Sequence, residues 1–422
     1  MSALSMVFLL LSSLTSTSLS EQNLRSILLG QQHTVIVITH VFRECIPLLS
    51  SRNDLVQRSA IQQDDSHEVI FVIRQRSIDE LTKILHDVSN PLSSNYGQYL
   101  TKEKVHQITT NPDSCDAVIS YLISKGAIVS HKAAFGDYVK ATAPISLWEN
   151  IFNTKFFRFT QTQKDGNFNE LVRAHNYSVP LELDCHLESV LNTVQVPYHL
   201  TSKFHAPEIV KNVKAEASNQ FDPFKGFTTP AKINSYYNVG ASKGNSKSTQ
   251  GVYSALGQYF SPQDLKIFQT AFGLPIQEVT RNIGNYSSDT RCVENPLNCA
   301  EGNLDVQYMM ATSPGSPMTF WYSDQSFSEW LMDVAAAPSP PLVLSISYAA
   351  HEDSMTQSEL IAFDTEAIKL GVMGVTLVAA SGDDGAVSDS VRDFGYSKCG
   401  YVAMFPASSP YVVSVGASSV RV

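Results

Sequence analysis

Basic charge is in deficit in this chain of 422 residues: 30 Lys and Arg stand against 40 Asp and Glu, a formal net charge of −10. With a sequence pI near 5.5, that balance argues against nucleic acid and against anionic membrane surfaces as partners. It suits an acidic compartment, where carboxylates take up protons and the net charge shrinks. Past the amino-terminal stretch, no run is long and apolar enough to span a bilayer. Histidine is nearly missing from the second half, where only His351 lies beyond residue 220. A Ser-His-Asp hydrolase would need it as base, yet no second partner is evident around it, and it reads as a surface loop residue. No two of the six cysteines form a C-x-x-C, and Cys292 and Cys299 have no nearby histidine, which speaks against zinc there. Acid–base work therefore falls to carboxylates.

What is present describes an ordinary folded chain. With 43% hydrophobic and 17% charged residues it can bury cores, and its length suggests about three domains. The apolar run Met6–Leu11 and the small residues ending Ser18-Leu19-Ser20 make residues 1–20 a signal peptide. Cys45, Cys115, Cys185, Cys292, Cys299 and Cys399 fit a secreted or lumenal protein whose disulfide pairing stays open. Cys292 and Cys299 bracket a turn, V-E-N-P-L-N, that a disulfide could close. Two sequons make Asn176 and Asn285 candidate glycosylation sites.

Residues 21–65 stay unassigned, although His33–Phe42 suits a buried strand. From residue 66 to 200 the pattern is that of a small α+β domain. Its parts are a strand at Val69–Ile73, a helix opened by a Ser77/Glu80 capping box, a turn-rich link at 91–101 with aromatic anchors, and an Asp-capped helix at Asp113–Lys125 stopped by Gly126. Strands at Ala127–Val129 and Tyr138–Ala143 and an amphipathic segment through Trp148 and Phe152 follow. No cluster of catalytic residue types lies there, so alone it reads as a binding or chaperoning module. Residues 201–220 lose periodicity and carry Lys203, Lys211 and Lys214, as a proteolytically accessible linker would.

The second domain covers 221–422. Gly251–Gln258 is strand-like, and Ser261-Pro262 opens a helix with Asp264 in its first turn. Leu342–Tyr348 and Val372–Ala380 are apolar strands joined by a helix running from a Thr356/Glu359 capping box to Gly371. That is a βαβ unit in a buried parallel sheet, and a third strand, Tyr411–Val415, follows. Loops at the carboxyl ends of such strands build sites, and S-Y-A-A-H-E-D and S-G-D-D-G are both such loops.

The stretch A-E-G-N-L-D-V-Q-Y-M-M (Ala300–Met310) sets Glu301 and Asp305 on one face of a helix. Two acids so placed are costly unless one holds a proton or both point into a working cleft. A solvated helix edge is the bland alternative. The second acidic motif, Ser381–Gly385, favours the cleft.

Taken together the chain resembles the sedolisin family of serine-carboxyl peptidases. The resemblance runs from about residue 66 to the end, through H-E-V-I-F-V-I-R-Q-R, P-L-S-S-N-Y-G-Q-Y-L-T, E-G-N-L-D-V-Q-Y-M-M, S-I-S-Y, H-E-D-S-M, A-A-S-G-D-D-G and F-P-A-S-S-P-Y-V-V-S-V-G. It implies a ferredoxin-like pro-domain before a subtilisin-like α/β catalytic domain. By resemblance Glu301 is the general base toward a serine, Asp305 orients Glu301, and Asp383 donates to the oxyanion as a protonated acid. Ser347, Tyr348 and Ala349 would lie along the substrate backbone, where relatives commonly carry Gly instead of Ala349. A Glu base with a reference pKa of ~4.3 implies an acidic optimum. For the family's tripeptidyl branch the expected activity is release of tripeptides from free N-termini in lysosomes, or outside the cell. The implied partners are a polypeptide substrate and the chain's own pro-domain, with no nucleic acid or membrane.

The family's nucleophile sits in a G-T-S-A-type motif downstream of F-P-A-S-S-P, and the 422 residues stop before one. Gly416-Ala417-Ser418 is no substitute, because it continues the Tyr411–Val415 strand. Family calcium ligands would also lie beyond Val422. The expectation is that the polypeptide as written is inactive and poorly stable. The alternative is a non-catalytic, pro-domain-bearing fragment that binds or inhibits the full-length peptidase; a third reading is an α/β hydrolase using His351.

Overall fold

The computed structural model describes residues 39–46, 55–133, 135–162, 168–197, 227–240, 243–387 and 401–417. The signal peptide, the linker at 201–220, Cys399 and Ser418 lie outside the described residues.

The first unit opens with β1 (His40–Cys45), β2 (Leu55–Ala60) and β3 (Ser66–Ile73), then α1 (Ile78–Ser89), α2 (Lys102–Thr109) and α3 (Pro112–Lys125). It continues through β4 (Ile128–Lys132), β5 (Tyr138–Pro144), α4 (Ile145–Phe152), β6 (Phe156–Thr162), β7 (Phe168–Ala174), β8 (Asn176–Pro180), α5 (Leu181–Asp184) and β9 (Leu187–Leu191). Its main sheet is antiparallel, in the order β4-β5-β3-β9. In β3, Val69, Phe71 and Ile73 face a core with Trp148, Phe152 and Tyr177, while Ile70 and Val72 face the other way. Alternation by two in a strand buried on both faces explains why its sequence is continuously apolar.

Residues left unassigned in the sequence add β1, which pairs with β8, and β2, which pairs with β6. The strand expected at His33–Phe42 is described only from His40, and Phe42 is 61% exposed, because β1 belongs to a two-stranded ribbon. Two expected caps are corrected. Ser77 precedes α1 in the left-handed region (φ 53), where its hydroxyl caps nothing, and α3 is capped by Asn111, two residues before the expected Asp113.

The second unit contains α6 (Pro230–Tyr236), β10 (Gln250–Ser254), α7 (Pro262–Ala271), β11 (Arg281–Ile283), α8 (Asp289–Glu294), α9 (Ala300–Thr312) and β12 (Met318–Tyr322). After these come α10 (Phe327–Ala336), β13 (Val343–Ile346), β14 (Ala350–His351), α11 (Gln357–Val372), β15 (Thr376–Ala380), β16 (Met404–Phe405) and β17 (Val413–Val415). Six strands form one parallel sheet in the order β11-β12-β10-β13-β15-β17. Val252 and Phe320 pack with Val306 and Met310 of α9, and their neighbours Tyr253 and Trp321 pack on the opposite face with Trp330 of α10 and Phe363 of α11. The strands are shorter than the apolar runs suggested. After β10 the chain turns at Leu256 (φ 56) and Gly257 (φ 69), and before β15 the helix keeps Val372 and the chain turns at Gly374 (φ 86).

The two units pack together along α10 and α11. Met332 and Ala362 fill the outer face of β3, and Ile368 and Val372 meet Leu81 and Val105. The first unit also satisfies helix ends of the second. Glu44 accepts from Ser358 N–H (3.1 Å) and Oγ–H (2.6 Å) at the start of α11. Lys102 donates to the carbonyls of Ala336 (2.7 Å) and Ala337 (3.0 Å) where α10 stops, and Leu100 N–H donates to Val372 O. An acid at the positive end of one helix and a lysine at the negative end of another match the helix dipoles.

Candidate active site

Helix α9 carries the first two candidate acids, and its position is set by what precedes it. The Cys292–Cys299 disulfide closes the turn before the helix, settling one pairing that the sequence left open. Cys299, the N-cap residue, has no side-chain cap. Gln258, from the loop after β10, takes over: its Oε1 accepts the Glu301 N–H (3.1 Å) and its Nε2 donates to Leu297 O (2.9 Å). Gly302 allows the approach, since a Cβ there would stand 2.3 Å from Tyr259 O. The first turn of α9 is thus pressed onto the end of β10, at the carboxyl edge of the sheet.

One turn on, Asp305 is half-buried. Its Oδ1 accepts the Ser347 hydroxyl at 2.7 Å, whereas Oδ2 is sealed from solvent and has no hydrogen-bond partner. Burial raises the Asp305 pKa well above the ordinary carboxylate range, the charge of Glu301 adds to the rise, and the Ser347 hydrogen bond opposes it. Glu301 is half-buried on the same helical face. Below them Tyr348 is buried, its hydroxyl within reach of Ser254 Oγ (3.4 Å) and Ala255 O (3.3 Å). Burial raises the Tyr348 phenol above its usual range, so it stays neutral.

Strand β15 is the parallel neighbour of β13, with Ile346 opposite Ala379. The loops carrying Ser347 and Asp383 therefore leave the same edge of the sheet. Asp383 is exposed in a turn bounded by Gly382 (φ 98) and Gly385 (φ 66), which admit the positive φ values. The structure joins Asp305 directly to Ser347, sets Glu301 one turn away on the same helix, and holds Asp383 on the adjacent loop. Of the candidate substrate-binding residues, Ser347 spends its hydroxyl on Asp305, and Tyr348 and Ala349 are buried. His351 sits half-buried on β14, opposite Met404 of β16, instead of in a free loop. Asn176 and Asn285 are both exposed, as a glycosylation acceptor must be.

Among the described residues no group of three or more His, Cys, Asp or Glu side chains is placed to hold a metal, and no step is routed through calcium. Sequence reasoning missed Gln258 as the helix cap and Ser347 as the partner of Asp305. Neither leaves a local signal, because both contacts join segments about 40 residues apart.

A protein-family model described as "Pro-kumamolisin, activation domain" matches residues 53–196. Tripeptidyl-peptidase 1 of Dictyostelium discoideum is 30% identical over 389 residues, covering 83% of this chain and 61% of that protein. Physarolisin of Physarum polycephalum is 28% identical (84% of this chain, 60% of the relative), and human tripeptidyl-peptidase 1 is 28% identical (84% and 62%). The chain thus spans about three-fifths of the length of these curated relatives. Among solved structures, a Pseudomonas sedolisin, a serine-carboxyl proteinase, is similar with a TM-score of 0.34 and 24% identity over 44% of this chain and 52% of its own.

Proposed function

From its relation to the sedolisin and tripeptidyl-peptidase 1 serine-carboxyl peptidases, we propose that this chain is the zymogen of an acid peptidase. The observation that supports it most is the Asp305 carboxyl, held by Ser347 with Oδ2 sealed from solvent and one turn from Glu301, at the carboxyl edge of a parallel sheet. In this reading the first unit is a ferredoxin-like pro-domain and the second is part of a subtilisin-like catalytic domain.

Glu301 is the base that takes the proton from an attacking serine hydroxyl. Asp305 keeps a proton in its buried site and donates to Glu301, setting the direction and basicity of that carboxylate. Asp383, on the neighbouring loop, supplies an acid hydrogen to the oxyanion, which demands that it be protonated. All three roles favour low pH, consistent with a lysosomal or secreted protein entering by the secretory route. The substrate is a polypeptide with a free amino terminus, cut three residues at a time. The G-T-S-A-type motif that carries the serine in relatives has no counterpart in the 422 residues, so these residues alone are proposed to be inactive.

The test has two arms. The 422-residue chain is expected not to react with a fluorophosphonate probe at pH 4–5. The protein expressed from its whole transcript is expected to release tripeptides from a peptide with a free amino terminus. There Glu301→Gln and Asp305→Asn are expected to lower kcat/KM by about 10²–10⁴-fold. Full activity in both variants overturns the carboxylate mechanism, and equal cleavage of amino-blocked peptides overturns the tripeptidyl specificity.

A further inference from the structure

We propose that Ser347 is a positioning residue of this site: its hydroxyl fixes Asp305 Oδ1, so that Oδ2 is the oxygen holding the proton shared with Glu301. The inference rests on the function proposed above and assigns a task to a side chain that the substrate-binding reading leaves idle.

The geometry carries it. Ser347 follows β13, and its Oγ donates to Asp305 Oδ1 at 2.7 Å. A serine hydroxyl has one hydrogen, so this donation commits it. Asp305 Oδ2 is sealed and has no hydrogen-bond partner. A buried carboxylate oxygen without a donor is the more favourable place for a proton. Asp305 therefore sits with one oxygen satisfied from the sheet and the other available on the helix, on the face where Glu301 lies one turn earlier. The ionisable groups facing this carboxyl are Glu301 from α9 itself and Tyr348 from the segment after β13. Tyr348 is held neutral and turned to Ser254 and Ala255, so it does not compete for the proton.

The direction of the effect follows. Donation from Ser347 favours the charged form of Asp305, and its loss makes Asp305 hold the proton more tightly. If the working state is Asp305 protonated beside charged Glu301, the alkaline limb of activity reports deprotonation of Asp305. Removing the hydroxyl moves that limb to higher pH.

The first measurement needs no turnover. The infrared carbonyl stretch of protonated Asp305, identified by its disappearance in Asp305→Asn, is titrated in the 422-residue chain. Ser347→Ala is expected to raise the midpoint by about one pH unit, and Ser347→Thr, which restores a hydroxyl, is expected to leave it near the parent value. An unmoved midpoint in Ser347→Ala, or an equal shift in Ser347→Thr, overturns the proposal. The second measurement is the pH profile of kcat/KM in the protein expressed from its whole transcript. There Ser347→Ala is expected to move the alkaline limb upward by a similar amount with KM unchanged. A changed KM with an unmoved limb makes Ser347 a substrate contact and overturns the proposal. A shifted infrared midpoint with no peptidase activity in any form overturns the functional reading instead, and leaves Ser347 as the group that sets the protonation of Asp305.

Discussion

Glu359 illustrates at the scale of one residue how burial turns a helix cap into a pH-sensitive group. Its Oε2 accepts from Thr356 N–H (3.0 Å) and Oγ–H (2.9 Å), completing the capping box visible in the sequence. The residue is 3% exposed, and burial pushes its pKa up to about 7, the two Thr356 bonds opposing the rise and the charges of Glu44 and Glu329 adding to it. Half-buried Arg173 is within electrostatic reach. For an acid held above its unfolded value, the native state binds the extra proton, so stability is fully present below about pH 4.5 and is lost as pH rises to about 7. Glu359→Gln keeps an acceptor and removes the charge. Its melting temperature relative to the parent is expected to rise between pH 4.5 and 7.5, toward a gain of up to about 3 kcal/mol. A difference that stays constant across that range, by thermal scans in matched buffers, contradicts the assignment.

At the scale of the element, α9 shows that a glycine in a helix can be a matter of space. Glycine in a helix interior costs ~1 kcal/mol relative to alanine, so Gly302→Ala should help if propensity decided. Here the added methyl meets Tyr259 O at 2.3 Å, a backbone atom with little freedom to move. The expected result is a loss of about 1–3 kcal/mol in urea unfolding, and at least a tenfold drop in kcat where activity is measured, because Glu301 is displaced with the helix. Increased stability would show that this contact can relax. Gly371 and Gly374 differ from Gly302 at the other face, where a Cβ would come within 2.7 Å of side-chain atoms of Leu85 and Tyr99 instead of a backbone atom. With Leu81 and Leu100, those two side chains bring α1 and the turn-rich link against the second unit.

Across the whole molecule, the two units are tied by a buried charge. Lys369 of α11 is 1% exposed and donates to Asp137 of the first unit (2.6 Å) and to Glu366 (2.9 Å). Burial pulls its pKa down, but the charges of Glu366 and Asp137 outweigh that and hold it charged. His106 stacks on Phe135 close by and stays neutral, its pKa lowered to about 4 by burial and by Lys369. A cavity of about 360 Å³ lined by Asp137, Glu366 and Gln75 lies alongside. Lys369→Met leaves two buried acids facing each other and is expected to cost about 3–5 kcal/mol of the packed arrangement. Limited proteolysis at pH 7 should then cut between the units faster than in the parent, with a smaller difference at pH 4, where Glu366, its pKa raised by burial, takes up a proton. Equal cutting rates at both pH values would show that the apolar contacts alone hold the units together.

The sequence by itself determined the local things: where apolar runs alternate or repeat, where Gly126 stops a helix, where Thr356 and Glu359 start one, and that Glu301 and Asp305 share a helical face. Those follow from backbone geometry over a few residues, which is why the βαβ unit and the acid pair were legible. Strand ends were less so, because apolar character does not stop where sheet hydrogen bonding stops, as at Gln258 and Val372. Only the tertiary structure decided that Ser347 donates to Asp305 across 42 positions, that Gln258 caps α9, and that Glu44 and Lys102 serve helix ends of the other unit. Each is a polar contact between distant segments, and the free energy that selects it comes from burial, which no local pattern records.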